Sequence, residues 1–119
     1  MPDKDMRNNL NYITKTEKSV LKQFVNLTRA ALDKTLIRME LFGSKVRGNY
    51  SESSDIDILI IGKERTIDVM DKIAEITAEL NLEYNLSIAP VVFSEYEYKV
   101  NTDMASPLSL AVESEGVRL

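Results

Sequence analysis

The 119-residue chain has no cysteine and no histidine. The first absence excludes disulfides and thiolate metal sites. The second removes imidazole as base or ligand, and with it zinc hydrolysis and a Ser-His-Asp triad. No apolar run reaches membrane-spanning length and no signal peptide is visible, so a cytoplasmic protein is expected. Repeats, low-complexity tracts and interdomain linkers are lacking too. What is present, 44% hydrophobic and 29% charged residues, fits one soluble globular domain. We expect a flexible lead-in over 1–13 and a single domain over 14–119.

Charge is unevenly spread within the net of −4. Residues 1–50 carry ten Lys/Arg against five Asp/Glu, and residues 51–119 carry five against fourteen. So acidic a chain is not expected to bind nucleic acid non-specifically. Its basic half could attract a triphosphate and its acidic half a basic partner, although most of these charges read as solvated helix faces.

Local signals divide the domain into alternating elements. Thr14-Lys15-Thr16-Glu17 is a capping box, opening a helix to about Lys34 with an apolar stripe of Val20, Leu21, Phe24, Val25, Leu27, Ala31 and Leu32. A strand is expected over Thr35–Phe42. After a turn, a second strand runs over Asp55–Ile61, ended by Gly62. A second helix, about Glu64–Leu80, shows Ile67, Met70, Ile73, Ile76 and Leu80 at helical spacing. The third strand, Tyr84–Phe93, contains Pro90, which suggests an edge or a bulge. Ser94-Glu95-Tyr96-Glu97 starts a short helix, and Ser106-Pro107 starts a last one that Gly116 closes. The order fits an α/β (α+β) sandwich, a small mixed β-sheet with helices packed mainly on one face.

Two carboxylates carry the chemistry. Asp55 and Asp57 lie one residue apart at the mouth of an apolar strand, where alternation points them the same way. Paired charges of one sign resist burial. A divalent cation removes that cost, and oxygen-only ligands in a small set suit Mg²⁺, which takes further ligands from water and phosphates. A turn over Ser53–Asp55 with an exposed strand start would account for the same residues. Gly43-Ser44 adds a second part, because glycine lets the backbone approach a ligand closely. Ser44 is expected to cap a short helix over Lys45, Val46 and Arg47, ended by Gly48. Amides at a helix start, a hydroxyl and two cations make a phosphate cradle. Ten residues separate Ser44 from Asp55, enough to bring two strands alongside.

Gly43-Ser44, ten residues and Asp55-x-Asp57 resemble the nucleotidyltransferase signature of the DNA polymerase β superfamily. GSKVRG…SDIDILI is most similar to the minimal nucleotidyltransferases, with Val46 where alanine is usual. The resemblance implies a nucleotidyltransferase-like fold, Mg²⁺ on Asp55 and Asp57, and nucleotide phosphates at Gly43, Ser44, Lys45 and Arg47. It implies transfer of a nucleoside monophosphate, AMP from ATP, to a macromolecular hydroxyl. Small members are antitoxins of all-helical HEPN ribonucleases, so a HEPN-like protein partner in a hetero-oligomer, or a homodimer, is expected. A small-molecule acceptor such as an aminoglycoside would need a pocket that so short a chain supplies only by dimerising.

The family's third carboxylate, on the next strand, is missing. Its place falls in Leu86-Ser87-Ile88, and Ser87 is a poor base or metal ligand. Glu83, Glu95 or Glu97 could supply the acid, the substrate could complete the site, or transfer could be slow or lost. The last case defines an alternative: a weak or inactive nucleotide-binding module that neutralises a partner by contact.

Overall fold

The computed structural model describes residues 13–48 and 54–119. Helix α1, Lys15–Leu32, begins where expected. Thr14 Oγ1 accepts from Glu17 N–H and Glu17 Oε1 accepts from Thr14 N–H, both at 3.0 Å. The helix stops before Lys34 because Asp33 takes φ 48° and opens a 3₁₀ turn, Asp33–Thr35. Of the expected lead-in only Ile13 is described, and it is buried in the core rather than loose.

Four strands form one sheet in the order β3-β2-β1-β4: β1 Leu36–Phe42, β2 Ile56–Gly62, β3 Ile88–Ser94 and β4 Val117–Arg118. β1 is antiparallel to β2 and to β4, whereas β2 and β3 are parallel. A parallel neighbour requires a crossover, and helix α3, Ile67–Tyr84, supplies it. Pro90 does sit on an edge strand. The two-residue β4 was not anticipated.

Side-chain alternation sends Met39, Leu41, Ile56, Ile58, Ile60 and Ile88 to a face covered by α1 and α3. Phe42, Leu59 and Ile61 go to the other face, against Tyr98 and Val112 of α4, Glu95–Asp103, and α5, Pro107–Glu115. The larger helical cover thus lies on one face as expected, and two nine-residue helices add a smaller one on the other. β2, covered on both faces, is apolar at nearly every position for that reason. No helix among the described residues is long and apolar enough to cross a membrane.

The expected stripe of α3 is half wrong. Ile67 is 82% and Met70 36% exposed, and the packed residues are Val69, Ile73, Ile76, Leu80 and Tyr84. The helix also starts three residues late, capped by Thr66, and continues to an αL cap at Asn85. Asn81, just beyond the expected end at Leu80, is helical. Its side-chain amide grips one strand residue: Oδ1 accepts from Ile88 N–H at 2.7 Å, and Nδ2 donates to Ile88 C=O at 3.1 Å. The start of β3 is therefore fixed by a side chain acting as a strand. Replacing Asn81 by alanine should orphan both Ile88 groups and cost about 1–3 kcal/mol. Thermal melting should register a fall of several degrees for a domain of this size; an unchanged midpoint would mean that water replaces the amide.

Candidate active site

The Gly43–Arg47 turn and the Asp55/Asp57 pair meet at the sheet end where β1 finishes and β2 and β3 begin, with the Lys45 side chain turned instead to α1. Asp57 lies opposite Phe42 on β1 and Ala89 on β3. Parity places Asp55 and Asp57 on the face shared with Leu59 and Ile61, under α4 and α5. Asp55 immediately precedes β2 and is exposed, whereas Asp57 is half-buried. Burial, then the charge of Asp55, raise the Asp57 pKa above its ordinary 3.8, and Arg47 opposes them. The charge of Asp55 thus adds to the cost that burial already sets on ionised Asp57.

Gly43 meets this pair directly. Its φ of 87° favours glycine, and a Cβ added to it would overlap Asp57 Oδ2. Gly43 is also the N-cap of the four-residue helix α2, Ser44–Arg47, so Ser44 is the first helical residue rather than the cap. The Gly43 carbonyl closes the turn by accepting from Val46 and Arg47 N–H at 3.0 and 3.2 Å. Gly48 ends α2 in the αL conformation, as expected, with φ 87°. Val46, where the family pattern has alanine, packs against the core.

The two cations of the loop have different surroundings. Arg47 is half-exposed and bonds Glu115 of α5 at 2.7 Å. Lys45, expected at the phosphates, has a side chain only 3% exposed, with Nζ 3.1 Å from Glu17 Oε2. Sequence reading missed Glu17 as its partner because the capping box already explained that residue. Burial raises the Glu17 pKa, but the Thr14 N–H bond and Lys45 outweigh it and bring it below the ordinary 4.5. Glu17 therefore contributes stability above that pH, and the contribution fades as pH falls through its lowered folded value.

Strand register places Ser87, the residue expected at the third acid's position, next to the aspartates. Ile56 pairs with Ile88, so Ser87 stands beside Asp55. Ile56 N–H donates to Ser87 C=O at 2.9 Å, and Ser87 Oγ donates to Asp55 Oδ1 at 2.5 Å. Glu95 and Glu97 cannot substitute. They follow Ser94, which pairs with Gly62, six residues along β2 from Ile56 and so about 20 Å away. Glu97 is held there by Arg65 through two 2.9 Å bonds. Glu83, near the correct end, is exposed, and among the described residues no third acidic side chain clusters with the aspartates to form a metal-binding group.

Against this geometry, residues 21–106 match the family model of the nucleotidyltransferase domain. The chain belongs to that family. Two Methanocaldococcus jannaschii proteins, MJ0141 and MJ0604, each provisionally assigned as a protein adenylyltransferase, are relatives. MJ0141 is 36% identical over 77 residues, covering 64% of this chain and 78% of the relative. MJ0604 is 37% identical over 87 residues, covering 71% and 83%. The fold resembles that of a provisionally assigned minimal nucleotidyltransferase, with TM-score 0.55, 21% identity, and coverage of 86% of this chain and 94% of that one. It also resembles a chain of a mutant MntA–HpeT toxin–antitoxin structure, with TM-score 0.51, 20% identity, and coverage of 83% and 69%.

Two outcomes follow from the electrostatics. In metal-free buffer at pH 7, Asp57→Asn should raise the melting temperature, because the raised pKa means that ionising Asp57 opposes folding. The gain should shrink as pH falls toward 3.8, where the wild-type carboxyl regains its proton; a wild type that melts higher at pH 7 would contradict it. Lys45→Met leaves Glu17 buried beside Thr14 alone and should cost about 3–5 kcal/mol. Adding Glu17→Gln should recover much of that loss in chemical denaturation.

Proposed function

We propose that this protein transfers AMP from ATP, with Mg²⁺, to a hydroxyl of a protein partner. The observation that carries the reading is the packing of the Gly43 backbone against Asp57 on the face that also presents Asp55. The carboxylates fit one divalent cation: both are oxygen donors and they share a face, and a cation beside Asp57 would offset the burial and the neighbouring Asp55 charge that raise its pKa. Asp55 and Asp57 would hold the ion, which when bound would offset the negative charge of the triphosphate. Ser44 and the α2 turn orient the phosphates, and half-exposed Arg47 adds positive charge. Lys45 acts at one remove, holding α2 to α1 through Glu17.

In this reading the acceptor is a partner protein. The provisional adenylyltransferase assignment of the Methanocaldococcus relatives supports a protein acceptor. The MntA–HpeT likeness supports a toxin partner, which we take to be a HEPN-like helical ribonuclease silenced by the transfer. A second reading, a non-catalytic module that neutralises its partner by contact, is favoured by Ser87 in the third acid's place.

Melting the protein with Mg²⁺ and each nucleoside triphosphate separates these readings from no nucleotide binding at all. ATP at about 100 times its dissociation constant should add about 2.7 kcal/mol, several degrees here. The rise should need Mg²⁺ and vanish in Asp55→Asn/Asp57→Asn. No rise with any nucleotide at millimolar concentration would remove the proposed activity. Labelling of a partner hydroxyl from ATP, lost in Asp57→Asn, would remove the contact-only reading.

A further inference from the structure

Ser87 is exposed, and its hydroxyl lies on the face of the sheet that presents Asp55 and Asp57. It donates to Asp55 Oδ1 at 2.5 Å, a close nucleophile–carboxylate contact. Asn81 fixes the backbone at Ile88, one residue on, so the hydroxyl is carried on an anchored segment rather than a free loop. Oδ1 of Asp55 accepts this bond. Across the sheet, β1 delivers Gly43 and Ser44 on the far side of β2. Two strand spacings, about 10 Å, separate the phosphate-binding turn from Ser87. That distance suits a triphosphate held at the turn with its α-phosphorus toward the serine.

We propose that Ser87 is itself an acceptor: the protein adenylylates its own Ser87. The proposal rests on the nucleotide-binding reading above and adds a specific nucleophile to it. The Ser87 Oγ–P bond forms at the α-phosphorus as the bond from that phosphorus to the bridging oxygen breaks. Pyrophosphate leaves with the bond's electron pair, and the serine proton departs along its hydrogen bond to Asp55 and on to water. The product is an AMP phosphodiester on Ser87, and no further reactant is needed. A serine in place of the third acid thus makes the site self-limiting, because the attached AMP occupies the place where another acceptor would attack.

The test incubates the full chain with ATP and MgCl₂ and reads intact mass, peptide mapping and melting temperature. Wild type should gain the mass of one AMP, mapped to Ser87. Ser87→Ala should gain none while keeping the ATP-dependent melting shift, and Ser87→Thr, which restores a hydroxyl, should regain the adduct at position 87. An adduct that persists in Ser87→Ala or maps elsewhere overturns the proposal. So does a melting shift without any adduct, which leaves nucleotide binding intact. Absence of both shift and adduct overturns the nucleotide reading and the self-modification with it.

Discussion

The contact between the Gly43 backbone and the Asp57 carboxylate is the constraint on which the rest of this end of the molecule depends. One partner has no side chain and the other carries a charge that burial disfavours. Neither would sit there without the remainder of the fold. Antiparallel pairing of β1 with β2 brings Phe42 opposite Asp57, and the positive φ of Gly43 then turns the chain into α2 beside the carboxylate. Lys45 and Glu17 fasten that short helix to α1. Asn81 anchors β3 on the other side. Separate polar contacts thus hold this end of the sheet in shape.

Much of this was legible because the signals were local. The capping boxes at Thr14–Glu17 and Ser94–Glu97, the Ser106-Pro107 start and the Gly48 stop each act within a few residues, so sequence suffices to read them. Asp55 and Asp57 were legible as a pair because strand alternation is a property of the strand alone. Distant partners defeated the reading elsewhere. Lys45 looked like a phosphate ligand because nothing nearby announced Glu17, 28 residues earlier. The role of Asn81 went unseen, since its partner is the backbone of a later strand. β4 was invisible because two residues carry no periodicity. Glu95 and Glu97 fell out of contention only when the parallel pairing of β2 and β3 placed them at the opposite end of the sheet.

The same topology explains why a domain this small can present polar chemistry at all. Its core is divided into two layers by a sheet whose central strand is covered on both faces, so burial is concentrated along β2. Helices α4 and α5 cover the other face, and at the sheet end Asp55 and Ser87 are exposed. Asp57, half-buried, marks the boundary with the apolar interior.

The alternation of β2 has one more consequence. Ile56, Ile58 and Ile60 face α1 and α3, and Asp57, Leu59 and Ile61 face the other way. A slip of one residue would carry Asp55 and Asp57 into the dry layer beneath α1 and α3, where two carboxylates could not remain ionised. The acid pair is thus a spelling check on strand alignment: a misaligned chain is rejected by its own charges. A descendant that abandoned nucleotide chemistry would still have reason to keep polar residues at these two positions, and the positive φ of Gly43 would hold the glycine even if Asp57 shortened.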